Sequence, residues 1–384
     1  MTIRQPQQAA GQPWVDAVAR HIGDPVTRLR FLKATLPALE RVRRRRRLLR
    51  LLAPAIALAA ILASLCLERA AVSVRPPDTL SPTQTPPPWK PAERGTPGRA
   101  APTVWLVEKG AQSEVYSNGL RIDTRLTVAT HPRSYLAFPR EAHGPGQAVR
   151  RAEPVGIVFH SSESHQVPLE ASQNNALKHV GESLLEYVRR RRAYHFVIDR
   201  FGRVFRIVNE TDAADHAGYS VWADDRWEYV NLNESFLGVA FEGQSLPEPW
   251  DAGPNPAQIR SGGMLIEMLR SIYRIPEANC VTHAQVSVNP DNMRVGYHTD
   301  WVSGFPFQSL GLPENQGQLL PSVLDFGFEA DAAFLSAASG HLRAGLAESE
   351  ARVQEQAAAA NLKVPRYRQL LRQRYRALLA RVRG

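Results

Sequence analysis

Residues 194–207 read YHFVIDRFGRVFRI, two apolar runs of alternating pattern on either side of Arg200-Phe201-Gly202. The pattern predicts a strand pair, Tyr194–Ile198 and Val204–Asn209, closed by a tight glycine turn. Ahead of it, VGIVFHSSESH (155–165) predicts a buried strand over Val155–Phe159, followed by a helix from about Asn174 to Arg192. Behind it come a loop rich in Trp and Asp, a strand over Phe236–Phe241, a helix over Pro256–Arg274 and a short strand, Cys280–Thr282. Strands and helices interleave, so the expected fold class is α/β, a mixed central β-sheet flanked by helices. Further short strands are expected between Val104 and Phe138 (VWLVEK, SEVYSNGLRI, TRLTVAT, SYLAF), with Ser117-Asn118-Gly119 as a hairpin turn.

Outside this body the composition changes. The 384 residues include 43% hydrophobic and 22% charged residues but only 2 Cys, which excludes a disordered, collagen-like or disulfide-stapled chain. The net charge is +10, yet seven Arg in 41–50 and seven Arg plus one Lys in 362–384 leave the rest at −5. A nucleic-acid-binding face on the body is therefore not expected. Leu51–Leu67 (LLAPAIALAAILASLCL) is uncharged, follows the Arg cluster and precedes a stretch with nine Pro between Pro76 and Pro102. This predicts a single-pass transmembrane helix over 48–68, a basic cytoplasmic segment over 1–47 and a Pro-rich linker over 69–103. The body, 104–318, then lies on the extracytoplasmic side of the inner membrane, in the periplasm of a two-membrane cell. Residues 319–384 are expected to be a helical basic tail with an apolar stripe at Leu371, Tyr375, Leu378 and Val382. Such a tail either meets a partner or anionic surface or packs back on its own domain.

Three segments place polar residues directly after apolar strands: His160 in VGIVFHSSESH, His283 in ANCVTHAQ, and His298 with Asp300 in GYHTDWVSGFPF. Two neutral imidazoles and a carboxylate form a three-ligand zinc set with a fourth position open for water. Such a site acidifies water and polarises a carbonyl, as amide hydrolysis requires. Cys280 lies three residues before His283 on one strand and is expected in the core. Arg189 to Arg192 read as a solvated helix end.

The body resembles the zinc-dependent N-acetylmuramoyl-L-alanine amidase family, which includes the phage lysozyme-type amidases and the peptidoglycan recognition proteins. VFHSSES, YHFVIDRFGRVFRI, DHAGYSVW, NESFLGVAFEG and THAQVSVNPDNMRVGYHTD follow in the family's order over about residues 150–310. The resemblance implies Zn2+ held by His160, His283 and Asp300, with Asp291 as competitor for the third place, because SVNPDNMRVG is an insertion. It further implies that Tyr194 orients water or steadies the intermediate. His298 stands where many members carry a Lys, which implies oxyanion support or proton shuttling and a pH dependence near neutrality. His216 matches a groove His that contacts substrate. Trp222 and Trp227 either line a sugar groove or pack as surface aromatics, and His195 is structural. Where other members place a catalytic Glu, this chain has Ala240, with Glu242 two residues on. The implied function is membrane-anchored hydrolysis of the amide between N-acetylmuramic acid and L-alanine in peptidoglycan. The alternatives are a peptidoglycan receptor that does not cut and a membrane scaffold.

Overall fold

The computed structural model describes residues 103–140, 147–245 and 253–383. The expected cytoplasmic segment, transmembrane helix and linker lie outside the described residues, apart from Thr103. Among the described residues no helix is long and apolar enough to cross a membrane.

The described residues open with a meander, β1 (Leu106–Lys109), β2 (Ser113–Tyr116) and β3 (Arg121–Asp123). Its second turn uses Gly119 at φ 86°, and Asn118 Nδ2 donates to Met264 O and Glu267 Oε2. Then follow β4 (Tyr135–Pro139), β5 (Val149–Arg151), β6 (Gly156–Ser161), α1 (Asn174–Arg191) and the pair β7 (Phe196–Ile198) and β8 (Val204–Arg206). In the turn between the pair, Asp199 Oδ1 accepts from Phe201 N and Arg203 N. Gly202 there has φ 76°, and a Cβ on it would sit 2.7 Å from Ala257 O, so only glycine fits. Next come β9 (Val221–Ala223), β10 (Trp227–Val230), α2 (Leu232–Ser235), β11 (Phe236–Phe241), α3 (Pro256–Tyr273), β12 (Cys280–Thr282), α4 (His283–Val286), β13 (Val288–Asn289) and β14 (Arg294–Val295). Four helices finish the chain: α5 (Pro321–Leu324), α6 (Ala332–Ala337), α7 (Gly340–Ala359) and α8 (Val364–Arg383).

The main sheet has the order β1-β2-β3-β8-β7-β11-β6-β12. The strands β7, β11, β6 and β12 run parallel to one another, so their C-terminal ends meet on one side. Strand period decides which side chain faces where. Ile157, Phe159, Val239 and Phe241 point into a core with Leu265, Leu269 and Cys280, covered by α3. Each such fully buried side chain is worth about 1.5–3 kcal/mol. Val158, His160, Gly238 and Ala240 hold the alternate positions and so take the opposite face, where α1 packs at one end. A second sheet, β5-β4-β10-β9, packs on that face at the other end.

Several elements differ from the sequence reading. TRLTVAT makes only one bridge, Val128 to Val208, because Arg125 N folds back onto Asp123 Oδ1. The Trp- and Asp-rich loop contains the hairpin β9–β10, whose turn is tied by Asp224 Oδ1 accepting from Arg226 N and Trp227 N. The largest difference is at the C-terminus. Leu320, Val323, Phe326, Phe328, Phe334, Leu342 and Tyr375 share one core with Val221, Val230, Ala284, Val288 and Val302. A boundary at 318/319 would cut through that core. The inward arginines are paired with acids: Arg368 with Glu350, Arg372 with Glu329, and Arg374 with the fully buried Glu228 at 2.7 Å. The segment is helical and basic as expected, but it packs back on the domain.

Candidate active site

Parallel pairing brings the first two histidines together. Val158 and Phe159 on β6 lie beside Val281 and Thr282 on β12, so His160 and His283 emerge as neighbours, their ring centroids 4.5 Å apart. Thr282 ends β12 and caps α4, with Gln285 Oε1 accepting from Thr282 N at 2.8 Å, which fixes His283 as the first residue of a helical turn. Asp300 completes the group: its Oδ1 lies 2.9 Å from His283 Nδ1 and its Oδ2 3.1 Å from His160 Nδ1. Ligand atoms of these three residues all lie within 4.8 Å of one another. Asp291 is carried away on the exposed tip of the β13–β14 hairpin, where its N–H donates to Asn289 Oδ1.

A chain of hydrogen bonds fixes the protons of this group. Phe236 O lies 3.2 Å from His216 Nε2, and a carbonyl only accepts, so Nε2 carries the proton. Burial and then the charge of His160 hold the His216 pKa well below its ordinary value. The ring is neutral, and its Nδ1 bears a lone pair. His160 Nε2, 3.2 Å from that nitrogen, is therefore the donor. Burial and the His283 charge also push the His160 pKa down to about 4, so at neutral pH His160 Nδ1 keeps a lone pair. That lone pair faces Asp300 Oδ2. Burial alone would raise the Asp300 carboxyl, but the His283 imidazole, through its charge and its hydrogen bond, holds it well below the carboxylate range. An imidazole lone pair set against an ionised carboxylate is repulsive unless the two share a cation. The donor set fits zinc on these grounds, and His283 Nε2 is buried without a partner.

Neighbouring elements hold this chain in place. Gly238 leaves room for His216, since a Cβ there would lie 2.6 Å from His216 Cγ. Asn233 Oδ1 accepts from the N–H groups of His216, Ala217 and Gly218 at 2.9, 2.7 and 2.9 Å. Arg133, from the strand-rich extension, donates to the carbonyls of Glu210, Asp212, Glu234 and Phe236, tying the loop before His216 to the start of β11. None of these residues stood out in the sequence, where an isolated Asn or Arg carries no pattern.

Tyr194 has φ 61°, which turns its ring towards His160 at 5.0 Å between centroids. Burial, followed by the Asp300 charge, raises its pKa, so the hydroxyl stays protonated. His298 lies flat on His283, 4.6 Å away at 18°, with its backbone N–H held by Ser287 Oγ. The covered face and the His283 charge push its pKa down to about 4, so at neutral pH it is neutral. The groove role expected of Trp222 is corrected: it is 2% exposed and donates Nε1–H to Asn279 Oδ1 in the core, and cannot line a groove. Trp227 is half-buried beneath the Arg151 guanidinium. His195 is fully buried, its Nδ1 accepting from Gly238 N. Cys280 is buried, and burial pushes its thiol up to about 12. Opposite His160 on β11 stands Ala240, while Glu242 Oε2 accepts from Arg200 N in the β7–β8 turn.

No curated protein matches the chain. Among solved structures it is similar to the N-acetylmuramoyl-L-alanine amidase LysC from Clostridium intestinale, at 20% identity, covering 49% of this chain and 93% of that one with a TM-score of 0.27. It is also similar to the amidase AmiD from E. coli in complex with anhydro-N-acetylmuramic acid-L-Ala-D-gamma-Glu-L-Lys, at 21% identity, covering 46% and 64% with a TM-score of 0.32. Residues 150–300 match the family model of N-acetylmuramoyl-L-alanine amidases, and that span contains His160, Tyr194, His216, His283, His298 and Asp300. The residues gathered at this site thus fall in the part of the chain that is similar to the N-acetylmuramoyl-L-alanine amidases.

Proposed function

We propose that this protein hydrolyses the amide bond between N-acetylmuramic acid and L-alanine in peptidoglycan, with zinc held by His160, His283 and Asp300. The observation that carries the reading is the buried cluster itself: ligand atoms of His160, His283 and Asp300 lie within 4.8 Å of one another, with Asp300 Oδ2 3.1 Å from His160 Nδ1. When bound there, zinc supplies Lewis acidity to a carbonyl oxygen and acidifies water. The rest falls to the chain's own side chains. Tyr194 keeps its hydroxyl proton and donates it as a hydrogen bond to the oxygen on which negative charge develops. His298, at the open edge of the group, takes a proton from the attacking water and returns it to the leaving nitrogen. His216 keeps His160 in one tautomer and orientation.

The proposal extends to location. The apolar run Leu51–Leu67 beside the Arg cluster supports a membrane anchor, with the catalytic domain on the extracytoplasmic side. Membrane fractionation of the full chain, with protease access from the outer side only, tests that part.

For the reaction, the purified protein is assayed for zinc content and for release of L-Ala-terminated peptides from peptidoglycan, beside His283→Ala. One zinc per chain and release lost in the variant support the amidase. Wall binding without metal or cleavage would replace it with a tethered peptidoglycan receptor.

A further inference from the structure

We propose that the C-terminal segment beyond the family match positions the loop carrying His298 and Asp300, with Phe334 as its keystone, so that the metal group forms only when this segment is docked. The inference rests on reading His160, His283 and Asp300 as the metal ligands.

The loop is bonded to α4 at Asp300 O, which accepts from Ala284 N at 3.2 Å, and on either side of that contact it is gripped by chain after residue 315. On the N-terminal side, the hairpin β13–β14 joins Glu329: Val295 N donates to Glu329 O at 3.0 Å, and Glu329 N donates to Met293 O at 3.1 Å. Directly after it, the Phe334 ring lies on the backbone of Gly296. A Cβ on Gly296 would stand 2.1 Å from Phe334 Cδ2, so residue and ring are interlocked. Gly296 N donates to Ser287 O, and Ser287 Oγ accepts from His298 N, which carries the fixed geometry to His298 within two residues. On the C-terminal side, Gln316 Nε2 donates to Trp301 O at 2.9 Å and Ser339 N donates to Val302 O at 3.0 Å. Trp301 itself holds φ 62°, a strained angle for a bulky residue that needs support from its surroundings. Gln316 and Ser339 are bonded to each other, so the two grips form one unit. Asp300 and His298 therefore have their backbone defined from both ends by residues that never touch the metal group. Phe334 is a positioning residue in this sense, itself held by the Asp331 cap on α6.

The test uses the full chain and reads zinc affinity by chelator competition, together with the visible spectrum of the cobalt-substituted protein. Phe334→Ala is expected to weaken zinc binding about 10–100-fold and to alter the cobalt spectrum, while Phe334→Leu keeps most of the affinity. Gly296→Ala, which pushes on the same contact from the other side, is expected to show the same loss and serves if Phe334→Ala does not fold. Leu346→Ala, in the same core but outside the hydrogen bonds that hold the loop, is the control: it lowers Tm and leaves zinc affinity unchanged. Wild-type affinity in Phe334→Ala or Gly296→Ala, or an equal loss in Leu346→Ala, overturns the inference. A wild-type chain that binds no zinc overturns the metal reading first and this inference with it.

Discussion

Gly238→Ala tests whether the histidine chain holds the metal group together. The added Cβ would lie 2.6 Å from His216 Cγ and 2.9 Å from Nδ1, the atom that accepts from His160. Ordinary contact begins near 3.4 Å, so the ring must retreat by about 0.8 Å. It has little room: His160 and His195 stand 5.3 and 5.6 Å away, centroid to centroid, and its loop is clamped by Asn233. Overpacking of this kind costs about 1–3 kcal/mol, and a buried imidazole nitrogen left without its partner adds about 1–3 kcal/mol. The sum lowers Tm by on the order of 5–20 °C in a domain of this size. Released from His216, His160 loses its fixed tautomer, and zinc affinity is expected to fall about 10–100-fold. Gly243→Ala meets nothing within 4 Å and should leave both quantities unchanged. Thermal melts with and without zinc, plus chelator competition, measure both. A Gly238→Ala protein that melts and binds zinc like the wild type would show that His216 is not held against His160, and the proton assignment built on that contact would fall.

Three further outcomes follow from the same geometry. His160 is depressed to about 4 against an unfolded value near 6.5, so the unfolded chain binds the extra proton between those values; His160 should by itself contribute a loss of up to about 3 kcal/mol in the zinc-free protein as pH falls from 6.5 to 4, and His160→Asn should make that slope shallower in pH-dependent melts. Trp222→Phe should lower stability by about 1–2 kcal/mol through the unpaired Asn279 oxygen while leaving KM for peptidoglycan unchanged; a raised KM would return Trp222 to the groove. Glu228, raised to about 7 by burial despite Arg374, is ionised only above that pH, so Arg374→Ala should cost about 3 kcal/mol at pH 8 and clearly less at pH 6 in urea titrations.

The strands that carry the site were legible because they are short, apolar and end in histidine. Phe236–Phe241 and Cys280–Thr282 form as the pattern predicts, and the β7–β8 turn lies where Gly202 marks it. The gathering of His160, His283 and Asp300 was readable only through resemblance, since the parallel register that juxtaposes them is long-range. Trp222 misled because Val221–Ala223 is too short for alternation to show a buried face. The C-terminal helices misled for a related reason. Arg368, Arg372 and Arg374 look like solvated charge in a local window, yet their partners are Glu350, Glu329 and Glu228, the last 146 residues away. Phe334 carries no signal at all until Gly296 is seen beneath it.

The position of β1 has a mechanical consequence. Tension arriving through the chain before residue 103 enters the domain at Val104, whose N–H is bonded to Ser271 Oγ, and then at β1. β1 sits at the extreme edge of the sheet and pairs with β2 alone, so it peels bond by bond, and the meander yields strand by strand like a zipper. His160 is on β6, six strand spacings across the sheet, or about 29 Å from the point of load. A pull on the chain ahead of Val104 would thus be absorbed by the outer strands while the His160 group keeps its shape.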